Sequence, residues 1–427
     1  MTLPPLGFAG LLLLGGLLVI ALMKGGPTER ARPAMAVILS LQGLASLALY
    51  ASLPEWLRLP WVALHPAVLI YALTFLRPGE KSLLWDILVG APAGWAMATA
   101  MLSLPWSVVG LFFDGPLPPW TLWWAPASLA AWGLVQTLRS APEQVELRLP
   151  AADPDGGAGP LRPTRAGAAA VRRSGAAGSL ADDRLRIVQL TDTHIGAFMS
   201  AERLRRQCER AVQGQPDLIL LTGDFLTIAS QRDAAPLSFA LAPLRAHPAV
   251  FAVFGNHDHE SPEVIRIALA SAGVKLLNDA QAVVQTRLGA VEVAGVDFRF
   301  SQRAEAMGAV LARLPAPEGV VARLLMLHDP GMFRFVPDGR FDLTLSGHTH
   351  GGQVGLLTFG LPITFVSAIS SIPDHGPWQM GRSLLYVHRG TGHYGFPIRV
   401  GVPSEDSVLD VIIPESRRVL AAAVARP

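Results

Sequence analysis

The stretch Ser346–Gly–His–Thr–His–Gly–Gly–Gln353 sets two imidazoles, His348 and His350, two residues apart between glycines. A helix interior is excluded, because each Gly there costs about 1 kcal/mol relative to Ala. The run follows the apolar segment Phe341–Leu345, so it reads as a strand passing into a tight loop. Taken alone, such a loop is equally a pair of metal ligands or an ordinary turn with two solvated histidines. The rest of the chain decides between them.

Working outward, other strands end the same way. Arg184–Thr191 is a strand that finishes in Asp192-Thr-His194, and Asp217–Thr222 finishes in Gly223-Asp224. Val250–Phe254 runs into Gly255-Asn256-His257-Asp258, and Arg323–Leu327 into His328-Asp329-Pro330. Between them lie helical stretches at Ala201–Gln213, near Ala234–Arg245, and at Pro262–Ala272, the last opened by Ser261 as N-cap with proline in the first turn. Val283–Leu288 and Val291–Val296 pattern as a hairpin around Gly289. Ligands of open α/β sheets gather at the carboxyl ends of strands. Five strand ends here carry the residue types that bind divalent metals. Mixed nitrogen and oxygen donors suit Mn, Fe or Zn, whereas all-oxygen sites suit Mg. The single cysteine, Cys208, lies on a predicted helix; it excludes an internal disulfide framework and a Cys-rich zinc site.

The amino-terminal third is of another kind. The chain has 427 residues, of which 51% are hydrophobic and 16% charged, and most of the apolar excess precedes Arg139. Leu6–Met23 is an uncharged run of transmembrane length with no basic segment before it, which argues against a cleaved signal peptide. Further apolar spans are Ala34–Leu53, Trp61–Leu76, Leu83–Leu104 and Trp120–Leu138, about five in all, with tryptophans such as Trp56, Trp61, Trp106 and Trp120 near their ends. Lys24, Arg30, Arg32, Arg77, Lys81 and the arginines from Arg139 onward fall on one side of this topology. The positive-inside rule then puts the amino terminus outside and everything after Arg139 in the cytoplasm. A net charge of +2 without a clustered basic face argues against a nucleic-acid polymer as partner.

The division expected is a helical membrane domain over 1–139, a flexible linker over 140–183, a metal-binding α/β domain over 184–413 and a tail over 414–427. The linker is rich in Ala, Gly, Pro and Arg, although Val145–Leu149 alternates like a strand and fits either side of the boundary.

Together, Asp192-x-His194, Gly223-Asp224, Gly255-Asn256-His257-Asp258, His328 and Gly347-His348-x-His350 resemble the calcineurin-like metallophosphoesterases, over roughly residues 184–413. With several spans in front, the layout is similar to the membrane-tethered bacterial branch. That branch includes phosphodiesterases and a UDP-2,3-diacylglucosamine pyrophosphatase of lipid A synthesis. The resemblance implies a β-sandwich of mixed sheets flanked by helices, two divalent metal ions, and a place in the inner membrane. Position by position, it implies one metal on Asp192, His194 and His350, a second on Asn256, His328 and His348, and Asp224 bridging both. His257, with Asp258 beside it, is the expected catalytic pair. One departure is Thr227, where the family often has an acid three positions after the bridging aspartate. Arg389 and Arg399 flank a glycine-rich segment, Arg389–Arg399, that resembles the closing loop of this branch; they are candidates to pair with a substrate phosphate or, equally, exposed arginines of a turn.

The expected function is that of a membrane-anchored dinuclear-metal hydrolase cleaving a phosphodiester or pyrophosphate bond, with lipid-linked substrates such as UDP-2,3-diacylglucosamine in view. The alternatives are a phosphodiesterase or phosphomonoesterase of soluble substrates, and a metal-binding regulatory module on a membrane scaffold.

Overall fold

The computed structural model describes residues 4–23, 32–74, 81–112, 121–149, 164–165, 170–174, 182–196, 199–226, 233–394, 396 and 398–424. Lys24, Arg30, Arg77, Trp120 and Thr227, which enter the loop-charge and motif readings, lie outside them.

The apolar runs are helices: α1 (Pro5–Leu22), α2 (Arg32–Ser52), α3 (Glu55–Ala63), α4 (His65–Leu73), α5 (Ala91–Phe112) and α6 (Thr121–Leu138). Four stretches are long and apolar enough to cross a membrane: Pro5–Leu22, Met35–Ser52, Glu55–Leu73 and Leu83–Trp106. Leucines such as Leu13, Leu17 and Leu44 stand outward on them, a surface suited to hydrocarbon. Pro66 is accommodated in the first turn of α4, where its missing N–H costs no helical bond. The expected fifth span does form a helix, α6, yet it is not among the four. Trp123, Trp124, Pro126 and Gln136 dilute its hydropathy, and its last turns pack on the domain that follows. Gln136 Oε1 accepts from Gly401 N at 2.7 Å, Thr137 Oγ1 accepts from Arg399 N at 2.8 Å, and Arg203 donates to Thr137 O at 3.1 Å.

The second half is built on two seven-stranded mixed sheets. The first has the order β3 (Ala170–Ser174), β1 (Ser140–Arg148), β14 (Ser404–Ile412), β4 (Arg184–Leu190), β5 (Leu218–Leu221), β6 (Val250–Ala252), β7 (Lys275–Leu276). The second runs β2 (Thr164–Arg165), β12 (Gly376–Met380), β13 (Ser383–Val387), β11 (Leu343–Ser346), β10 (Val320–Leu327), β9 (Gly289–Val296), β8 (Ala280–Thr286). Alternation builds the sandwich. Leu218 and Leu220 of β5 meet Leu324, Met326, Leu343 and Leu345 in the layer between the sheets. Ile219 and Leu221 face outward onto Leu204 and Cys208 of α7 (Ala201–Gln213), Leu237 of α8 (Ala235–Leu241) and Ile265 of α9 (Pro262–Ser271). On the far side α10 (Arg303–Arg313) covers the second sheet with Met307, Val310 and Leu311.

Two local expectations change. Residues 140–148, expected within the linker, form β1, which runs parallel to β14 from Ser140↔Ser404 to Arg148↔Ile412. The cause is the Val145/Leu147/Leu149 alternation, which puts all three side chains into the central core. β2 and β3 come from the same stretch. Ser261 precedes α9 but makes no side-chain cap bond to it.

Candidate active site

β4, β5, β6, β10 and β11 each end at the same edge of the sandwich, and the chain leaves each through a tight polar turn. The turns are tight because the ligand residues themselves adopt left-handed backbone. Among the described residues nine non-glycine positions have positive φ, and five of them are Asp192 (52°), His194 (42°), Asp224 (57°), His348 (69°) and His350 (52°). Such conformations cost of order 1–3 kcal/mol each and persist where the surroundings over-determine them, as at functional sites. Here the surroundings are a web of backbone donors. Asp192 accepts from His348 N at 3.0 Å, and Asp224 Oδ1 accepts from His257 N at 2.9 Å. Two glycines make room: a Cβ on Gly255 would stand 2.2 Å from Asp224 Oδ1, and one on Gly347 would stand 2.1 Å from Asp192 Oδ2.

The result is two side-chain clusters, Asp192/His194/His350 and Asp224/His328/His348, each with its donor atoms close enough to share one cation. In the first, His350 Nε2 lies 3.2 Å from Asp192 Oδ1 and 3.2 Å from His194 Nε2. Asp224 joins the clusters, its Oδ2 lying 3.3 Å from His328 Nε2 and 3.6 Å from His194 Nε2. His328 Nδ1 is 2.7 Å from Thr222 O; donating there fixes the tautomer that turns the Nε2 lone pair inward. His328 Nε2 and Asn256 Oδ1 are buried without a hydrogen-bond partner. Buried polar atoms are nearly always satisfied, so these inward-turned donors fit a divalent ion. The electrostatics differ between the clusters: burial opposes charge on His328, but the Asp224 and Asp192 carboxylates outweigh it and raise the ring to about 10, so a metal there competes with a proton. Burial alone would raise Asp192 and Asp224, but the neighbouring imidazoles hold both carboxyls below their usual range. Burial pushes His194 down to about 3, so its ring is neutral and able to ligate.

Residues 185–352 match the family described as calcineurin-like phosphoesterase. The chain carries a calcineurin-like metallophosphoesterase domain. It is 29% identical over 232 residues to phosphodiesterase YaeI of Escherichia coli (strain K12), covering 53% of this chain and 82% of that protein. Metallophosphoesterase YkuE of Bacillus subtilis (strain 168) is 28% identical over 231 residues, 51% of this chain and 75% of its own. A transmembrane protein with metallophosphoesterase domain from Danio rerio is 27% identical over 235 residues, 52% of each chain. The domain is therefore a metal-dependent phosphoesterase.

Within this metallophosphoesterase site, three expected residues have other duties. Arg399 is 1% exposed and donates to main-chain carbonyls, including Arg389 O at 2.8 Å and Gly392 O at 2.5 Å. Arg389 is 2% exposed and pairs with Glu143 at 2.6 Å and Glu405 at 3.1 Å. Neither guanidinium is presented to a substrate. Arg399 is buried as the donor to carbonyls that the glycine-rich segment leaves inside, whereas Arg389 is buried as the partner of two carboxylates, Glu143 and Glu405. Asp258 is fully buried and accepts from Asp224 N, Gly255 N and Phe225 N at 2.7–2.8 Å, so it braces two of the turns rather than touching reactants. Burial and the adjacent Asp224 charge push it up to about 7.

His257 does face the cleft, and its partner is Glu260, with Nδ1 2.9 Å from Oε1. Burial lowers its pKa, but the Glu260 hydrogen bond and the nearby carboxylates outweigh this and raise it. Tyr394 was missed from the sequence: its ring stacks on His194 at 4.8 Å and meets His257 edge-on at 4.5 Å. Phe298 forms the opposite wall, 6.1 Å from His348 and 6.2 Å from His328. A Tyr inside Gly390-Thr-Gly-His-Tyr394 was the available signal for the first; nothing in the local sequence marks the second.

Proposed function

We propose that the protein is a membrane-anchored dinuclear-metal phosphodiesterase or pyrophosphatase. The observation that carries this is the junction at Asp224, one carboxylate within 3.6 Å of His nitrogens from both clusters. Asp192, His194 and His350 would hold one ion, Asn256, His328 and His348 the other, with Asp224 shared; Mn, Fe or Zn suits these donors. Such a pair supplies Lewis-acid charge on the attacking and leaving oxygens of an in-line displacement.

The chain's own residues do the rest. Asp258 fixes the Gly223–Phe225 and Gly255 backbones, which hold Asp224 in its left-handed turn. Glu260 orients His257 through Nδ1 and favours its protonated form, so that Nε2 donates a proton to the leaving oxygen. Tyr394 and Phe298 wall the cleft and limit water. A domain that follows the last membrane-packed helix after one residue, Arg139, works at the membrane surface. With α6 crossing as a fifth span, the loop charges put the domain on the cytoplasmic face of an inner membrane; with only the four stretches crossing, the same rule puts it on the opposite face. A lipid-linked diester or pyrophosphate such as UDP-2,3-diacylglucosamine is the substrate to try first.

Detergent-purified full-length protein, assayed with Mn, Fe, Zn, Mg and Co, should hydrolyse bis-p-nitrophenyl phosphate with higher kcat/KM than p-nitrophenyl phosphate. A preference for the monoester, with metal bound, overturns the diester reading; inertness of UDP-2,3-diacylglucosamine beside active soluble diesters removes that lipid from it.

A further inference from the structure

One segment of the domain does not behave like its surface. From Gly351 to Pro373 there is no acidic or basic side chain. The backbone there is pinned. Leu356 N donates to Ile363 O at 2.8 Å, Phe365 N donates to Val354 O at 2.8 Å, and Thr358 N donates to Gly401 O at 3.0 Å. Thr364 and Ser367 form a capping box that opens α11 (Phe365–Ile369), and Thr364 Oγ1 donates to buried Asp374 at 2.5 Å. Yet Leu356, Phe359, Leu361, Ile363, Phe365 and Ile369 all stand outward, Phe359 at 64% and Ile369 at 68% exposure. Burying such a side chain is worth about 1.5–3 kcal/mol, so an ordered, uncharged cluster that leaves seven of them exposed, Ile372 included, marks a contact surface. Elsewhere on the domain, exposed apolar side chains such as Phe239, Ile267 and Val283 sit singly on separate elements, apart from Val419, Leu420 and Val424 on the last helix, Glu415–Val424, which also carries Arg417 and Arg418.

The position of the segment indicates what it contacts. The Phe359 ring is 5.7 Å from Trp132 of α6, and Thr358 Oγ1 accepts from Gln136 Nε2 at 3.1 Å. α6 in turn packs on α5, where Trp95 Nε1 donates to Ala127 O at 3.0 Å; Trp95 belongs to the fourth membrane-length stretch. At about 1.5 Å per residue, Trp132 lies roughly 9 Å up α6 from Leu138, the end next to the domain. That is the depth, about 5–10 Å, to which interfacial apolar elements sink into a bilayer. The segment therefore lies against α6, which itself packs on a membrane-length helix. The other end of the segment is the active site: His350 immediately precedes it, and Gln353 Nε2 donates at 2.6 Å to the carbonyl of Tyr394, whose ring stacks on His194.

We propose that Leu356–Ile372 is an interfacial brim, seated in the headgroup–acyl boundary beside α6, that opens the metal site to phosphoesters carried by amphiphiles of the same membrane. The substrate class is thus a phosphodiester or pyrophosphate with an acyl or alkyl anchor, a conclusion that rests on the phosphodiesterase reading above. A protein interface would set aromatics such as Phe359 and Phe365 beside Arg anchors and within a polar rim, and this segment, which borders α6, has no charged residue at all. The occupant is lipid.

The brim is tested without reference to catalysis by a nitroxide on Phe359→Cys in full-length protein in phosphatidylethanolamine/phosphatidylglycerol nanodiscs. Cys208 is buried with its thiol pushed up to about 12, so the added cysteine is the one that labels. Power saturation should show the label more accessible to oxygen than to a nickel chelate, as on Leu17→Cys of α1 and opposite to Val283→Cys on β8. A label open to the nickel chelate overturns the brim, and one shielded from both reagents replaces lipid by a protein occupant. Substrate delivery is tested by Phe359→Ser/Phe365→Ser/Ile369→Ser. Its kcat/KM on bilayer-borne hexadecyl p-nitrophenyl phosphate should fall about tenfold, the scale of losing part of the apolar contact, with bis-p-nitrophenyl phosphate turned over as before. Equal loss on both diesters overturns the delivery role. Wild-type protein that cleaves neither diester overturns the enzymatic reading alone, since the label still reports the depth of the brim.

Discussion

The turns at the strand ends and the closing loop from Arg389 to Arg399 are built from similar letters: glycine, histidine, a charged group, threonine. Their charged groups point in opposite directions. In the turns, left-handed backbone at Asp192, Asp224, His348 and His350 throws side chains off the sheet edge into one cleft. In the closing loop, the chain wraps around its own arginines, and Arg399 ends beneath the site as donor to the carbonyls of His350, Arg389 and Gly392. What separates the two is backbone supply. A strand end brings paired N–H groups that satisfy a carboxylate, whereas a glycine-rich wrap leaves carbonyls that demand a cation. The carboxylates became candidate ligands, and the arginines became scaffold.

The sharpest way to break this contrast is at the shared carboxylate. Asp224→Asn keeps the shape and the bond from His257 N but removes the charge between the clusters. Metal analysis should show fewer than two ions per chain, and kcat on bis-p-nitrophenyl phosphate should fall roughly 10³-fold, about 4 kcal/mol in activation energy. Retention of both ions and full activity would return Asp224 to the structural side of the comparison. Next in size is Arg399→Met, which orphans several buried carbonyls. At about 1–3 kcal/mol for an unsatisfied buried group and about 2–4 °C per kcal/mol for a domain of this size, the thermal midpoint in detergent should drop by several degrees. KM of the folded remainder should stay unchanged. A raised KM with an unchanged midpoint would restore Arg399 to the substrate.

The same contrast explains what could be read ahead of the structure. Strands that alternate, or are apolar throughout, and that end in Asp, His or Asn were legible because a few adjacent residues encode them; β4 and β5 lie within a residue of where the pattern put them, while β10 begins three residues earlier and β11 two residues later than expected. The sandwich itself came from the family resemblance, since the alternation alone suggested only an α/β sheet. β1 was obscured because its signal is confined to Val145, Leu147 and Leu149, while its partner β14 is more than 250 residues away. The burial of Arg389 and Arg399 was obscured for a similar reason: it depends on Glu143, Glu405 and carbonyls supplied by distant segments. α6 shows a third limit. Its length suits a span, but its role is set by Gln136 and Thr137 docking on Gly401 and Arg399, contacts that hydropathy does not register.

The smallest effect tests the finest distinction, between the two acids near His257. Asp258 is adjacent in sequence but turned away, holding three backbone N–H groups; Glu260 is three residues on and within 2.9 Å of Nδ1. If Glu260 positions His257 for proton donation, Glu260→Gln, which keeps a hydrogen bond but loses the charge, should lower kcat about tenfold, at the low end of what a general acid contributes. KM and metal content should hold, because neither cluster uses Glu260. A purely structural role predicts instead a lower thermal midpoint with kcat intact. Asp258→Asn should behave in the opposite way, perturbing the Asp224 turn and therefore metal content before it touches the chemical step. The two substitutions, two residues apart, thus separate a group that orients the proton donor from one that holds the metal-binding turn.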